Sequence, residues 1–263
     1  MRDATALLWA YDTQLRDVVE VPSADSWERH GPLLWATYRG RRGFVSYAPF
    51  ETSPHELERL VVDTIENYRR DPAITELEWK TRGHDRLPGL DELLVGHGLV
   101  ADETESVMVG RAEKLVTDVT LPTGVTIRRI QAPDEIRAMC AMLEIAFEES
   151  MVGHADELIH RQSLGKDDIE FWVAEADGQM VSAGRLEPVD GTDFAGIWGG
   201  GTLHEWRGKG IYRVLTGERA RSALRRGKTL INSDSTEYSR PILARSGLVK
   251  VTTTTPYHWH RQS

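Results

Sequence analysis

The 263-residue chain holds one cysteine, Cys140, so it forms no internal disulfide. No apolar run approaches the roughly 20 residues that a membrane-spanning helix needs, which excludes that kind of span. Positive charge is in deficit: 32 Lys and Arg face 41 Asp and Glu, for a formal net charge of -9. Such a surface repels phosphate backbones and anionic lipid, so neither nucleic acid nor membrane is an expected partner. The polar opening Met1-Arg2-Asp3 lacks the apolar core of a secretory signal, and a reducing cytoplasm is the expected compartment.

What is present suits an ordinary globular protein. Hydrophobic residues make up 40% and charged residues 28%, and eight Trp help to fill sizeable cores. The length exceeds the usual size of one compact domain and fits either one large domain or two, with two as the starting expectation. The charge deficit is uneven, with 14 Lys and Arg against 21 Asp and Glu in residues 1–116 but 18 against 20 in residues 117–263. The nearly neutral second half is the better host for an anionic ligand.

Residues 111–124, with Pro122 and Gly124, read as a linker. Alternation then predicts a strand at Val125 to Ile130, and Pro133-Asp134-Glu135 opens a helix with Ile136, Met139, Cys140, Leu143 and Phe147 on one face. Cys140 is on that apolar stripe and reads as a packed core thiol. A second helix spans about Ala155 to Leu164. Strands follow at Glu170 to Ala176, Met180 to Pro188 and Phe194 to Leu203, joined through Asp177-Gly178 and Asp190-Gly191 as an antiparallel meander. A helix from Tyr212 to Arg226 stops at Gly227, a strand covers Thr229 to Ser233, a short helix Ser239 to Ser246, and the tail Val249 to His260 is β-rich. The first half has helices at Ala4 to Arg16, Pro54 to Arg70 and Leu90 to Gly96. Its strands are expected at Leu33 to Tyr38, Gly43 to Tyr47, Leu77 to Lys80 and Ser106 to Gly110. Gly98-Leu99-Val100 and Gly247-Leu248-Val249 precede matching strands, which suggests two copies of one fold.

Chemistry concentrates in Gly199-Gly200-Gly201-Thr202-Leu203-His204-Glu205-Trp206-Arg207-Gly208-Lys209-Gly210-Ile211-Tyr212, between a strand and a helix. Backbone N–H groups in such a turn, with the partial positive charge of the following helix start, make a phosphate site. Gly208 and Gly210 let the backbone come close to a ligand; Arg207 and Lys209 add charge. A Walker loop is excluded because Leu203 and Gly210 stand where it needs Gly and Ser or Thr. A dinucleotide fingerprint is excluded because Arg213 stands where it needs Gly.

This segment resembles the pyrophosphate loop of the GNAT acetyltransferase superfamily, Arg/Gln-x-x-Gly-x-Gly/Ala, with Arg207 and Gly210 matching and Tyr212 departing. The resemblance covers about Val125 to His260 and extends to Leu248 in place of a Phe. It is more specifically similar to tandem GNAT proteins, whose N-terminal copy carries a segment like Glu78 to Asp85. It implies an α/β fold of two GNAT-like domains, each a mixed, mostly antiparallel sheet flanked by helices. Residues 1–115 would be a degenerate copy without the cofactor loop, and residues 124–263 the catalytic domain. Acetyl-CoA would be bound by Gly201, Thr202, Leu203, Arg207, Gly208, Lys209, Gly210, Ile211 and Tyr212, with its pantetheine along Gly200 to Leu203, where the glycines favour a bulge. A backbone N–H near Gly201 to Leu203 would stabilise the thioester oxygen.

The implied reaction is direct acetyl transfer to an amine in a ternary complex. The family's usual acid, a Tyr, is replaced by Leu243, and Tyr257, Ser239 and Tyr212 are substitutes of suitable chemistry. Glu187 is the first choice of base, followed by Glu148, Glu149, Asp193 or a water chain. The acceptor is expected to be a small-molecule or peptide amine, and pairing into a homodimer is left open. Alternatives are a non-catalytic acyl-CoA-binding or regulatory protein, favoured by Leu243, and a thiol-biosynthesis enzyme similar to mycothiol synthase. Trp198 and Trp206 flank the loop. Arg219, Arg221, Arg225 and Arg226 read as a solvated helix face, some of it within reach of CoA phosphates. His258 and His260 share a strand face but have no third ligand, so no metal is expected.

Overall fold

The computed structural model describes residues 2–166 and 168–262; Met1 and Ser263, the outer ends of the two expected domains, lie outside that set. The chain forms two compact units. The first comprises the chain up to Val107, the segment Asp234–Arg240 and the tail from Lys250; the second comprises Met108–Ser233 and Pro241–Val249.

In the first unit, α1 (Arg2–Gln14) precedes an antiparallel meander of β1 (Ser26–His30), β2 (Leu33–Tyr38) and β3 (Arg42–Tyr47). The tight β2–β3 turn spans Arg39, Gly40 and Arg41 between paired Tyr38 and Arg42; Arg39 and Gly40 have positive φ and the Arg41 N–H donates to Tyr38 O. Then comes α2 (Pro54–Arg70), started by a capping box in which Ser53 Oγ accepts from the Glu56 N–H and the Glu56 carboxylate accepts from the Ser53 N–H. Leu57, Val61, Ile65 and Tyr68 recur at helical spacing and bury against Leu33, Val45 and Trp79. Fully burying each such side chain contributes roughly 1.5–3 kcal/mol. After α2 come β4 (Glu76–Arg82), α3 (Leu90–Gly96), β5 (Val100–Ala101) and β6 (Glu105–Arg111), which runs across the division between the units.

Strand β4 runs parallel to β3, but only Arg42–Val45 pair with Glu76–Trp79. Beyond that point the strands carry polar side chains bonded to the segment after α1. Arg16 Nε donates to Tyr47 O at 3.1 Å and its two terminal nitrogens bond Asp85 at 2.8 Å each. Glu20 accepts from Ser46 Oγ at 2.5 Å and from Arg82. Burial alone would raise the Glu20 pKa, but Arg82 and Lys80 outweigh it and hold the carboxyl below its ordinary range. Lys80 Nζ donates to Asp234 at 2.6 Å.

The second unit holds β7 (Val125–Ile130), α4 (Pro133–Phe147), α5 (His154–Leu164), β8 (Glu170–Ala176), β9 (Gln179–Pro188), β10 (Phe194–Thr202), α6 (Ile211–Arg225), β11 (Leu230–Ser235) as far as Ser233, and α7 (Arg240–Arg245) from Pro241 on. Strand order is β11-β10-β9-β8-β7, antiparallel except for the β10–β11 pair. Asp177 and Gly178, both at positive φ, close the β8–β9 hairpin. One apolar cluster joins Leu186, Ile197, Leu215, Ile231 and Leu243. Another joins the α4 stripe, Cys140 included, to Phe171, Val173 and Ala183. Burial pushes the Cys140 thiol pKa up, in keeping with an inert core residue.

The last strand, β12 (Val249–His260), is where the sequence expectation closed the second domain. Its residues Thr254–His260 instead pair antiparallel with Arg82–Glu76 of β4 in the first unit, which gives β4 a partner on its second edge.

Candidate functional site

The loop from Leu203 makes a short 3-10 turn at His204–Trp206 and reaches α6 through Gly208 and Gly210, at φ 76° and 80°. Only a residue without Cβ adopts such angles at little cost. Gly210 is the N-cap of α6 and no side chain caps that end. First-turn N–H groups have no partner within a helix, and they carry about half a positive charge between them. Three surrounding side chains define the corner: Val119 would touch a Cβ on Gly210 at 3.2 Å, Lys209 Nζ sits 4.4 Å from the Trp206 ring centroid, and Arg207 lies on its loop side. Arg207 Nε and Nη2 donate to Thr202 O at 3.0 Å and Ala146 O at 2.7 Å, so this guanidinium fastens the loop to α4.

Before the corner, β10 is irregular on both edges. Against β9 the register slips between Trp198 and Gly201, where three steps of β10 match two of β9, and Gly199 has φ 56°. This is the expected bulge, and it turns the strand as an extra residue does. Against β11 only Phe194–Gly196 pair with Leu230–Asn232, and the strands then part. At the point of parting, Asn232 Oδ1 is buried without a hydrogen-bond partner. A buried carbonyl oxygen left unpaired costs roughly 1–3 kcal/mol, which a ligand N–H or O–H would recover. These features fit an elongated amide-bearing ligand with a diphosphate, as CoA is. The Leu203 N–H, one of the candidate donors to the thioester oxygen, is instead spent on Val181 O at 3.0 Å.

On the α5 side of the bulge a charged cluster faces Gly199. Arg185 Nη1 would lie 2.8 Å from a Cβ on that glycine, and the same atom is 3.2 Å from His154 Nε2. Arg is always a donor, so His154 accepts there and is neutral. Burial, then the charge of Arg185, lowers the His154 pKa. Glu187, the first-choice base, accepts from Arg161 Nη2 at 2.9 Å and Arg185 Nε at 3.1 Å. Burial would raise its pKa, but the two guanidinium groups outweigh that and hold the carboxyl below its ordinary range. A carboxylate so stabilised is a weak proton acceptor.

On the α6 side the expectation of a solvated arginine face is corrected at one position. Arg219 is 1% exposed. Its Nη1 donates to Arg185 O at 3.1 Å, its Nη2 to Thr216 Oγ1 at 2.9 Å, and its Nε has no partner. Its Cζ lies 6.0 Å from the centroid of the Tyr212 ring. The cause is its place on the inward stripe with Leu215, Thr216 and Ala223. Arg221 and Arg226 bond Glu218 and Glu170 respectively. The Tyr212 ring in turn packs on Gly200, where a Cβ would come within 2.8 Å of Cε2 and 2.9 Å of Oη.

The structure does not bring the other named candidates into this cluster. Tyr257 belongs to the first unit's core, where burial and then Asp91 push its phenol up to about 12. Ser239, also of the first unit, bonds Thr236 O. Leu243 is buried in the second unit's core. Glu148 and Glu149 are exposed at the end of α4, and Asp193 is exposed before β10. Trp198 folds over Gly196, against which a Cβ would come within 2.3 Å of Nε1. Among the described residues no group of three His, Cys, Asp or Glu could hold a metal, and no helix is long and apolar enough to cross a membrane. His154, Arg161, Arg185 and Asn232 escaped the sequence reading. A glycine tract opposite an arginine-bearing strand was the available signal.

The fold is that of GNAT proteins in their tandem form, two GNAT-like domains in one chain. A solved GCN5-related N-acetyltransferase from Kribbella flavida is similar at 18% identity and a TM-score of 0.66, covering 100% of this chain and 95% of that one. A tandem GNAT protein from the clavulanic acid biosynthesis pathway is similar at 15% and 0.63, with the same coverage. A GCN5-related N-acetyltransferase from Sphaerobacter thermophilus is similar at 16% and 0.61, over 87% of this chain and 76% of that one. No protein-family model matches the chain, and no curated protein matches its sequence. At these identities the likeness is one of fold.

Proposed function

We propose that the second unit is an N-acetyltransferase that binds acetyl-CoA and acetylates a small-molecule or peptide amine. One observation carries the reading: an uncapped helix start behind two left-handed glycines, reached from a bulged strand that has parted from its parallel neighbour. The N–H groups of Ile211 and Tyr212, with those of the Gly208–Gly210 turn, would hold the diphosphate. The edge of β10 at Gly200–Thr202 and the Asn232 side chain would hold the pantetheine, the Thr202 carbonyl being taken by Arg207. Bound acetyl-CoA supplies an activated acetyl group as a thioester.

The residues around Gly199 would receive the acceptor. Arg161 and Arg185 keep Glu187 ionised and oriented, and neutral His154, bonded to the same Arg185, is a group able to take the amine proton, directly or through water. Glu187 then acts on the amine as an anchoring carboxylate as much as a base. In the first unit the matching parting of β3 and β4 is filled by Arg16, Glu20 and their partners, so we read that unit as holding no cofactor.

Titration calorimetry with CoA, followed by transfer of isotopic acetyl to a panel of amines, tests the proposal. Binding with transfer is expected, and no binding overturns it. Leu243 in the core favours a second reading, a non-catalytic acyl-CoA-binding protein. Tight binding with no transfer to any amine would select that one.

A further inference from the structure

We infer that the acceptor is an amino acid with a free carboxylate close to its amine, that Arg185 reads this carboxylate, and that Trp198 lines the room for the side chain. This rests on the acetyl-transfer reading above and names the substrate class of the same site.

Arg185 is a guanidinium pinned on two sides and open on the third. Its Nε donates to Glu187 Oε1 at 3.1 Å and its Nη1 to His154 Nε2 at 3.2 Å. Both N–H groups of Nη2 and one of Nη1 have no partner among the described residues, and Nη2 is not sealed from solvent. Glu187 does not take them up, because Arg161 occupies both of its oxygens, Nη2 on Oε2 at 2.9 Å and Nη1 on Oε1 at 3.3 Å. The side chains of Arg185 and Glu187 are 13% and 16% exposed, so the open edge is nearly dry and a hydrogen bond made there to an anion is strong.

The place of that edge sets the spacing between amine and anion. Arg185 Nη1 lies 2.8 Å from where a Cβ on Gly199 would be, and Gly199 directly precedes the Gly200–Thr202 edge proposed for pantetheine. An amine brought to a thioester beside that edge has its next atoms over Gly199, so an anion held there is only a few bonds from the nitrogen. A carboxylate offers two oxygens in one plane to the planar guanidinium. A phosphate dianion would meet the carboxylate of Glu187 beside Arg185, and like charges repel.

Trp198 is the cross-strand partner of Arg185, and Gly196 that of Glu187, so the indole and the two charged groups rise from one face of the sheet. Gly196 is bare where the indole lies across it. Among the described residues Trp198 makes no hydrogen bond or ring contact. It is a half-buried apolar surface beside the charged pair, suited to the hydrocarbon part of an amino acid.

In the step, the amine nitrogen bonds the acetyl carbon as the carbon–sulfur bond breaks with its electron pair on sulfur. Of the two protons that the ammonium loses in all, one passes to solvent and one ends on the sulfur, so the products are an N-acetyl amino acid and a thiol. The carboxylate stays on Arg185 throughout and is unchanged.

The test uses the full chain and isotopic acetyl-CoA, with common amino acids offered beside their carboxamides and their decarboxylated amines. The best amino acid should exceed its carboxamide by about thirtyfold in kcat/KM, as a charge-assisted hydrogen bond gives. Arg185→Gln should bring that ratio to within about threefold. Because Arg185 also holds Glu187 and His154, the ratio and not the absolute rate is the readout. Trp198→Leu should keep the ratio and change which side chains are preferred. Calorimetry of N-acetyl amino acids and their amides against the CoA-saturated chain reads the same preference without turnover. Amides that react and bind as well as the acids, or acids that neither react nor bind, overturn the inference. Transfer confined to amines without a carboxylate overturns it and leaves the acetyl-transfer reading intact, whereas failure to bind CoA overturns that reading itself.

Discussion

The guanidinium of Arg219 occupies the room where Gly184 lacks a side chain: a Cβ on Gly184 would come within 2.5 Å of Nη1 and 2.8 Å of Cζ. The pair fixes the depth at which α6 sits on β9. Gly184→Ala should therefore destabilise the protein by about 1–3 kcal/mol, as overpacking a filled core does. In an Arg219→Met background the same change should cost less, because a flexible thioether can move aside. Urea unfolding of the four proteins of this cycle measures the coupling. Equal costs in both backgrounds would show that the two residues do not press on each other.

His154 gives the protein an acid-sensitive element. Its folded pKa lies below the usual value of about 6.5, because burial and Arg185 disfavour the charged ring. Between the folded and unfolded values the unfolded chain binds a proton that the folded chain does not, so stability rises with pH there and falls as pH drops below about 6.5. Arg185, Arg161, Glu157 and Glu187 are the charged groups facing the ring. Glu187 acts in the same direction at lower pH, since its depressed pKa gives stability that is lost as it protonates. The loss of stability between pH about 7.5 and about 5.5 should be smaller in His154→Gln than in wild type. Urea midpoints at the two values check this, and an unchanged difference would remove His154 from the account.

Much of the fold was readable because the elements carry their periods openly. β8 from Glu170 to Ala176, α2 from Pro54 to Arg70 and β7 from Val125 to Ile130 have the bounds that alternation and caps suggest. β1 was missed because Ser26-Trp27-Glu28-Arg29-His30 has no buried face to alternate with; it is held by backbone pairing to β2. The phosphate corner was legible because it is local, a turn and a helix start within a few residues. The groups about Gly199 and Gly200 were not, since His154, Arg185 and Arg219 come from α5, β9 and α6 and meet only after the sheet forms. Arg219 misleads most, because a charged residue on a helix is normally placed outward and only the bare Gly184 opposite betrays its direction.

Arg207 separates two ways of supporting a diphosphate. The resemblance makes it a counter-charge, yet its guanidinium is spent on Thr202 O and Ala146 O. Lysine keeps the charge but not the planar fork that bonds two carbonyls at once. Arg207→Lys and Arg207→Gln should both weaken CoA binding by roughly tenfold, equivalent to about 1.4 kcal/mol, in line with a charge-assisted hydrogen bond. Calorimetry in which Lys retains wild-type affinity while Gln loses it would restore the counter-charge role. Arg207→Glu should weaken binding further, since it also opposes the ligand's charge.

The two units differ in what fills the gap between their parallel strands, and this sets the binding stoichiometry. In the first unit Glu20 is held by Ser46 and Arg82, while Arg16 reaches Asp85 and the carbonyl of Tyr47. Admitting a pantetheine there would strip buried charges of their partners, a cost of several kcal/mol for each. In the second unit the corresponding divergence leaves Asn232 Oδ1 wanting a donor. Calorimetry should accordingly find one CoA per chain, and two per chain would refute the filled-gap argument. Glu20→Gln should lower stability by about 3–5 kcal/mol, because Arg82 stays buried without its carboxylate. It should leave CoA affinity at the second unit unchanged, so a chain still folded after this substitution separates the structural role of the first gap from the binding role of the second.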